Sequence, residues 1–177
     1  MREMKLIDPD KRYLYGYKQA YIESLKMIEQ NKMKKHDLMF KNPNDDVIEK
    51  LLNHRDPQKL KGGHVIAYDY FFVGGDNFLG TITIRTELTD GLLRFGGNIG
   101  YGINPHFWHK GYGSKILELG LKKCKDLGLK DKVLITCDDD NIASAKIIEK
   151  NGGVLENIVK NNVDGKEILT RRYWVEL

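Results

Sequence analysis

Apolar positions along this chain follow two periods, and the switches between them mark its elements. Lys5-Leu6-Ile7 predicts a short edge strand, stopped by Asp8-Pro9. From Asp10 the spacing turns helical, with Tyr13, Tyr17, Tyr21, Leu25 and Ile28 on one face through about Gln30. Residues 32–41 are polar, basic and weakly periodic. Asp45 and Asp46 open a second predicted helix, with Val47, Ile48, Leu51 and Leu52 on one face. Carboxylates suit a first turn because the helix dipole is positive there. The pattern fades near His54, and Asp56-Pro57 ends it.

Strand periodicity follows. Residues 65–73 are rich in β-branched and aromatic side chains, and residues 78–86 alternate. With Gly74-Gly75-Asp76-Asn77 between them they predict an antiparallel hairpin. A third strand covers residues 98–104, after Gly96-Gly97 and before Pro105. The strongest helix spans residues 111–127, where Ile116, Leu117, Leu121, Cys124 and Leu127 form one stripe and Gly128 supplies the stop. A buried strand at 133–137 comes next, then a helix capped by Asn141 and running to about Lys150. A second hairpin, 154–160 and 166–175 around Asp164-Gly165, completes a mixed α/β chain without repeats.

The length of 177 residues suits one domain, 1–177. Charge adds little: 29 basic and 25 acidic side chains leave +4, with no clustered basic face of the kind nucleic acid requires. No apolar run approaches the roughly 18 residues that cross a bilayer, and the first residues lack the apolar core of a secretory signal. We therefore expect no nucleic-acid and no membrane partner. Cys124 and Cys137 lie in apolar periodic segments and form no CxxC pair. They read as buried free thiols of a reducing cytoplasm, with no metal site.

The chemically informative stretch is residues 99–115, where a strand enters a glycine-containing loop and then the strong helix. The first amides of a helix lack carbonyl partners and point outward. Gly111 and Gly113 have no Cβ, so a phosphate can approach the backbone, and Lys110 and Lys115 add charge. These features predict an anion site for a phosphorylated ligand. A turn that needs glycine for its geometry alone is the other reading of this loop. The GxxxxGK[ST] pattern of nucleoside triphosphatases is absent.

Two separated motifs, HKGYGSKIL and CDDDNIASAKIIEKNGG, with the order of elements around them, closely resemble the GNAT N-acetyltransferase superfamily over residues 97–153. The runs ELTDGLLRFGGNIGYGINP and RRYWVEL resemble a branch of bacterial acetyltransferases with poorly defined substrates. The resemblance implies a mostly antiparallel twisted sheet of six or seven strands, splayed between the fourth and fifth and flanked by about four helices. It implies acetyl-CoA as cosubstrate, with the pyrophosphate held by the loop Trp108, His109, Lys110, Gly111, Tyr112 and Gly113 and by Ser114. Trp108 stands where the family usually has Gln or Arg. Pantetheine would bond the backbone of Ile103 as an added strand does. Asn141, with Ser144 one turn later, would meet the cofactor arm.

One family position differs. Many relatives place a tyrosine seven residues after that asparagine to protonate the leaving thiolate; here it is Ile148. Tyr101 and Tyr112 are the nearby replacements, with Tyr101 the catalytic candidate. The acceptor amine must be neutral to attack, yet a lysine-like amine is neutral only about once in 10³–10⁴ molecules at pH 7. Glu87 is the first candidate base, then Asp69 and His64; Asn98 can only orient water. The acceptor, a small-molecule or peptide amine, is expected between the N-terminal helices and the hairpin, near Tyr13, Tyr15, Tyr17, Tyr21 and Lys32, Lys34 and Lys35. A core stripe is the competing reading of those tyrosines. A homodimer is allowed. A CoA-binding sensor without turnover is the alternative function, motivated by Ile148.

Overall fold

The computed structural model describes residues 3–44, 46–60 and 62–177; Asp45, expected to help open the second helix, lies outside them. The chain runs β1 (Met4–Ile7), α1 (Leu14–Glu29), α2 (Val47–Asn53), β2 (Ala67–Gly74) and β3 (Asn77–Arg85). It continues through α3 (Asp90–Arg94), β4 (Ile99–Ile103), α4 (Tyr112–Asp126), β5 (Lys132–Asp138), α5 (Ile142–Lys150), β6 (Val154–Val163) and β7 (Lys166–Glu176). The strands form one seven-stranded sheet in the order β1-β2-β3-β4-β5-β7-β6. Every neighbouring pair is antiparallel except β4 and β5, which are parallel.

Strand alternation divides the core between two faces of this sheet. Phe72, Ile82, Ile84, Ile99 and Ile135 bury against Ile116, Leu117 and Cys124 of α4 and Ala145 and Ile148 of α5. On the other face Phe71, Val73 and Phe78 bury against Tyr17 and Ala20 of α1 and Val47, Ile48 and Leu51 of α2. Tyr17 stacks on Phe71 at 5.3 Å between ring centroids. The tyrosine stripe is therefore core: Tyr17 is 1% exposed, whereas Tyr15 points to solvent at 77%. Neither behaves as the aromatic wall of an acceptor pocket.

The structure adds a fifth helix, α3, whose Thr89 hydroxyl accepts from the Leu92 amide at 3.2 Å. Five residues give no readable helical period, which is why the sequence pattern missed it. The first hairpin turns more tightly than expected, through Gly75-Asp76 alone. Both cysteines are buried and free. Among the described residues no helix is long and apolar enough to cross a membrane.

Candidate active site

β4 and β5 part company almost as soon as they meet. Their pairing is the single register pair Ile99 with Ile135, while β4 stays paired to β3 as far as Ile103 with Gly80. Among the described residues, the β5-facing edge of β4 beyond Ile99 has no strand beside it. A backbone edge of this kind can take an extended ligand as an extra strand.

One end of the opening leads to the start of α4. Gly111 precedes it in the left-handed conformation at φ 78°, offers no side-chain cap, and has open space where a Cβ would stand. The first-turn amides of a 15-residue helix are thus free of side-chain competition for an anion. The rest of the loop is fastened down. The Trp108 indole donates to the Ile103 carbonyl at 2.9 Å and so occupies one lone pair of that oxygen. Tyr112 packs between Phe72 and Phe107. The Ser114 hydroxyl accepts from the Asn151 side chain at 3.2 Å. Lys115 pairs with Glu118 at 3.0 Å, and Lys110 lies over the Phe107 ring. His109 takes a positive φ of 60° in the turn.

Gly113 faces the neighbouring helix α5 on its Cβ side. A Cβ there would fall 2.5 Å from Ile147 Cδ1, so this glycine lets α4 and α5 approach each other. Gly111 is the open one.

On the α5 side of the opening, the Tyr101 hydroxyl and Ser144 Oγ lie 3.0 Å apart. Burial raises the Tyr101 pKa, and the Ser144 hydrogen bond opposes this only in part. Burial likewise pushes the Cys137 thiol up to about 11, so it is protonated at neutral pH. Asn141 caps α5 by accepting from the Ser144 amide at 3.1 Å. Ile148 is fully buried in the core and lines nothing.

The opposite mouth is crossed by the segment between α1 and α2. Met39 rests on β4: a Cβ at Gly100 would lie 2.9 Å from Met39 Cε, and one at Gly102 would lie 2.7 Å from Met39 Cβ. Five residues earlier, Lys34 Nζ donates to Asp138, the last residue of β5, at 2.8 Å, and to Asp140 at 2.7 Å. His36 Nε2 lies 2.7 Å from the same Asp138 oxygen. Burial works against the Lys34 ammonium, but its two carboxylate partners win and hold its pKa above the ordinary lysine value. His36, Asp37 and Asp138 offer donor atoms within 4.8 Å of one another, a spacing a metal could use. The Lys34 ammonium already neutralises Asp138, so the cluster reads as an ion-pair junction.

A family model described as an acetyltransferase (GNAT) domain matches residues 18–154. The chain belongs to the GNAT acetyltransferase family. Its fold is similar to apo RimL, the ribosomal L7/L12 α-N-protein acetyltransferase, at TM-score 0.70 and 16% identity, covering 98% of this chain and 90% of that one. It is also similar to the microcin C7 self-immunity acetyltransferase MccE, solved with acetyl-CoA and AMP, at TM-score 0.69 and 20% identity, covering 99% and 93%. A GNAT-family acetyltransferase from Bacillus anthracis gives TM-score 0.68 at 16% identity, covering 99% and 96%. No curated protein matches the sequence significantly.

In this GNAT chain the candidate bases scatter. Glu87 is exposed and lies just past the end of β3, whose last residues pair beside the start of β4, at the closed end of the split. Asp69 is buried and fully engaged, bonded to His54 Nδ1 and the Thr83 hydroxyl. His64 is exposed in the loop before β2. Both ends of the Asn98 side-chain amide bond backbone, Arg85 O at 3.1 Å and Leu134 N at 2.8 Å. Sequence reading passed over His36 and Asp138. A His-Asp pair inside an aperiodic basic run and the carboxylates ahead of Asn141 were the available signals, but nothing local joins positions 102 residues apart.

Proposed function

We propose that this chain, acting as one catalytic domain, transfers the acetyl group of acetyl-CoA to a primary amine within a ternary complex. The observation that carries this reading is the β4–β5 opening with the uncapped N-terminus of α4 at its end. Acetyl-CoA supplies an activated acyl carbon on a thiol leaving group. The first-turn amides of α4 after Gly111 would grip its diphosphate, backed by Lys110 and His109. The β4 edge would carry the pantetheine, and the Asn141 side-chain NH₂ would meet the arm.

The attacking nitrogen forms its bond to the acetyl carbon as the carbon–sulfur bond breaks, and the thiolate takes a proton. Tyr101, kept protonated by burial and bonded to Ser144, is the donor in place of the absent family tyrosine. The protein would work in a bacterial cytoplasm, where its two free thiols stay reduced. Calorimetry with acetyl-CoA tests the proposal: saturable binding is expected, and no binding at millimolar cofactor overturns it.

The sensor reading is favoured by one observation, the burial of Ile148 where a proton donor is usual. It predicts acetyl-CoA binding with no thiol release across a panel of primary amines. Release with any of them rejects it.

A further inference from the structure

We propose that His36, oriented by Asp138, is the base that takes the proton from the acceptor amine. The inference rests on the acetyl-transfer reading above and gives it a residue. Its first support is placement. The segment from Lys34 to Met39 spans the split, bonded to the end of β5 at one side and seated on Gly100 and Gly102 of β4 at the other. His36 therefore sits at the mouth facing away from Tyr101 and Ser144. An amine entering there approaches the slot from the side opposite Tyr101 and Ser144.

Its second support is the chemistry of the pair. The Asp138 side chain is 2% exposed and that of His36 16%. The Asp138 oxygen that accepts from the Lys34 ammonium also lies 2.7 Å from Nε2 and accepts the proton of that ring nitrogen. That fixes the tautomer with the lone pair on Nδ1. Among the described residues Nδ1 makes no hydrogen bond, and Phe95 packs edge-on against the ring at 6.1 Å. A buried carboxylate holding one ring nitrogen, with the other left bare, is the arrangement a general base needs.

The charged and titratable groups around His36 are Lys34 and Asp37 on its own segment and Asp138, Asp140, Cys137 and Arg171 on and beyond the neighbouring strands. Burial, and then the Asp138 charge, raise the Asp37 pKa. In the step itself the ammonium R–NH₃⁺ gives its proton to Nδ1. The neutral R–NH₂ adds to the thioester carbon, the carbon–sulfur bond breaks and the thiolate takes the Tyr101 proton; the surplus proton on nitrogen leaves to solvent, solvent reprotonates Tyr101, and His36 returns its own proton to solvent.

The test compares two probes of equal size, methylamine and hydroxylamine, with the full chain and acetyl-CoA at pH 7, following thiol release. Methylamine must be deprotonated before it can attack, whereas hydroxylamine is already neutral. His36→Gln is expected to lower kcat/KM for methylamine about a hundredfold or more, with a loss for hydroxylamine roughly tenfold smaller. The methylamine rate of the variant should climb steadily with pH, without the plateau that a saturating base produces. Asp138→Asn should reproduce the effect in weaker form. Equal losses with both probes, no loss with either, or no release from wild-type protein that binds acetyl-CoA would each overturn the role of His36. Wild-type protein that fails to bind acetyl-CoA would instead sink the acetyl-transfer reading, and acetyl-CoA affinity of the variant serves as the check on its fold.

Discussion

Asn98 and Leu134 hold each other twice: the Asn98 amide donates to the Leu134 carbonyl at 2.7 Å, and the Leu134 amide donates to Asn98 Oδ1 at 2.8 Å. The same side chain donates to Arg85 O at 3.1 Å. This residue, 5% exposed, closes the split between β4 and β5 at its root. The opening is thus a bounded slot and not the start of a general unzipping.

Replacing Asn98 by Ala leaves the Leu134 amide without a partner in a buried place. Such a loss costs about 1–3 kcal/mol. At about 2–4 °C per kcal/mol for a chain of this size, thermal unfolding should show a clear drop. An unchanged melting temperature would mean that the clasp contributes nothing.

Gly113 and Ile147 make a coupled pair. Gly113→Val overpacks the α4–α5 contact, at a cost of roughly 1–3 kcal/mol. Adding Ile147→Ala opens the space, so the double variant should be more stable than the sum of the single effects predicts. Strict additivity in denaturant unfolding would show that Gly113 does not serve helix approach.

Tyr101→Phe removes one hydroxyl and little volume. Acetyl transfer should fall by about 10²-fold or more, with acetyl-CoA affinity kept, if this phenol protonates the thiolate. Because burial raises its pKa, Tyr101 stays protonated through neutral and mildly alkaline pH, and it should add no alkaline limb to the rate profile there. A change in KM for acetyl-CoA alone would assign it to binding.

Stability should weaken in alkali. Burial raises Cys137 to about 11 and Cys124 to about 12 from the ordinary thiol value of 9.0. Between those values the unfolded chain releases protons that the folded chain keeps, so stability is full below about pH 9 and declines as pH rises through 11 to 12. Denaturant midpoints measured from pH 8 upward check the sign, and Cys124→Ala should flatten the slope. A midpoint that rises with pH would contradict it.

Much of this protein was legible from local pattern. The stripe of α4, the hairpins, the cap at Asn141 and the loop at Gly111 announce themselves because each depends on residues within one or two turns of one another. The element order and two motifs were enough to point to the family. The bounds of the elements shifted by a few residues, and α3 was too short to show a period.

The roles inside the loop were not legible in the same way. A glycine reads alike in sequence whether open space lies beside it, as at Gly111, or a neighbouring helix does, as at Gly113. The tyrosines of α1 carried a helical period without saying which faced the core. The pairing of His36 with Asp138, and of Asn98 with Leu134, joins segments far apart in the chain, and hydrogen bonds across such distances leave no local spacing to read. Periodicity settles which face of an element is apolar; only the packing of the sheet decides which polar side chains those faces bring together.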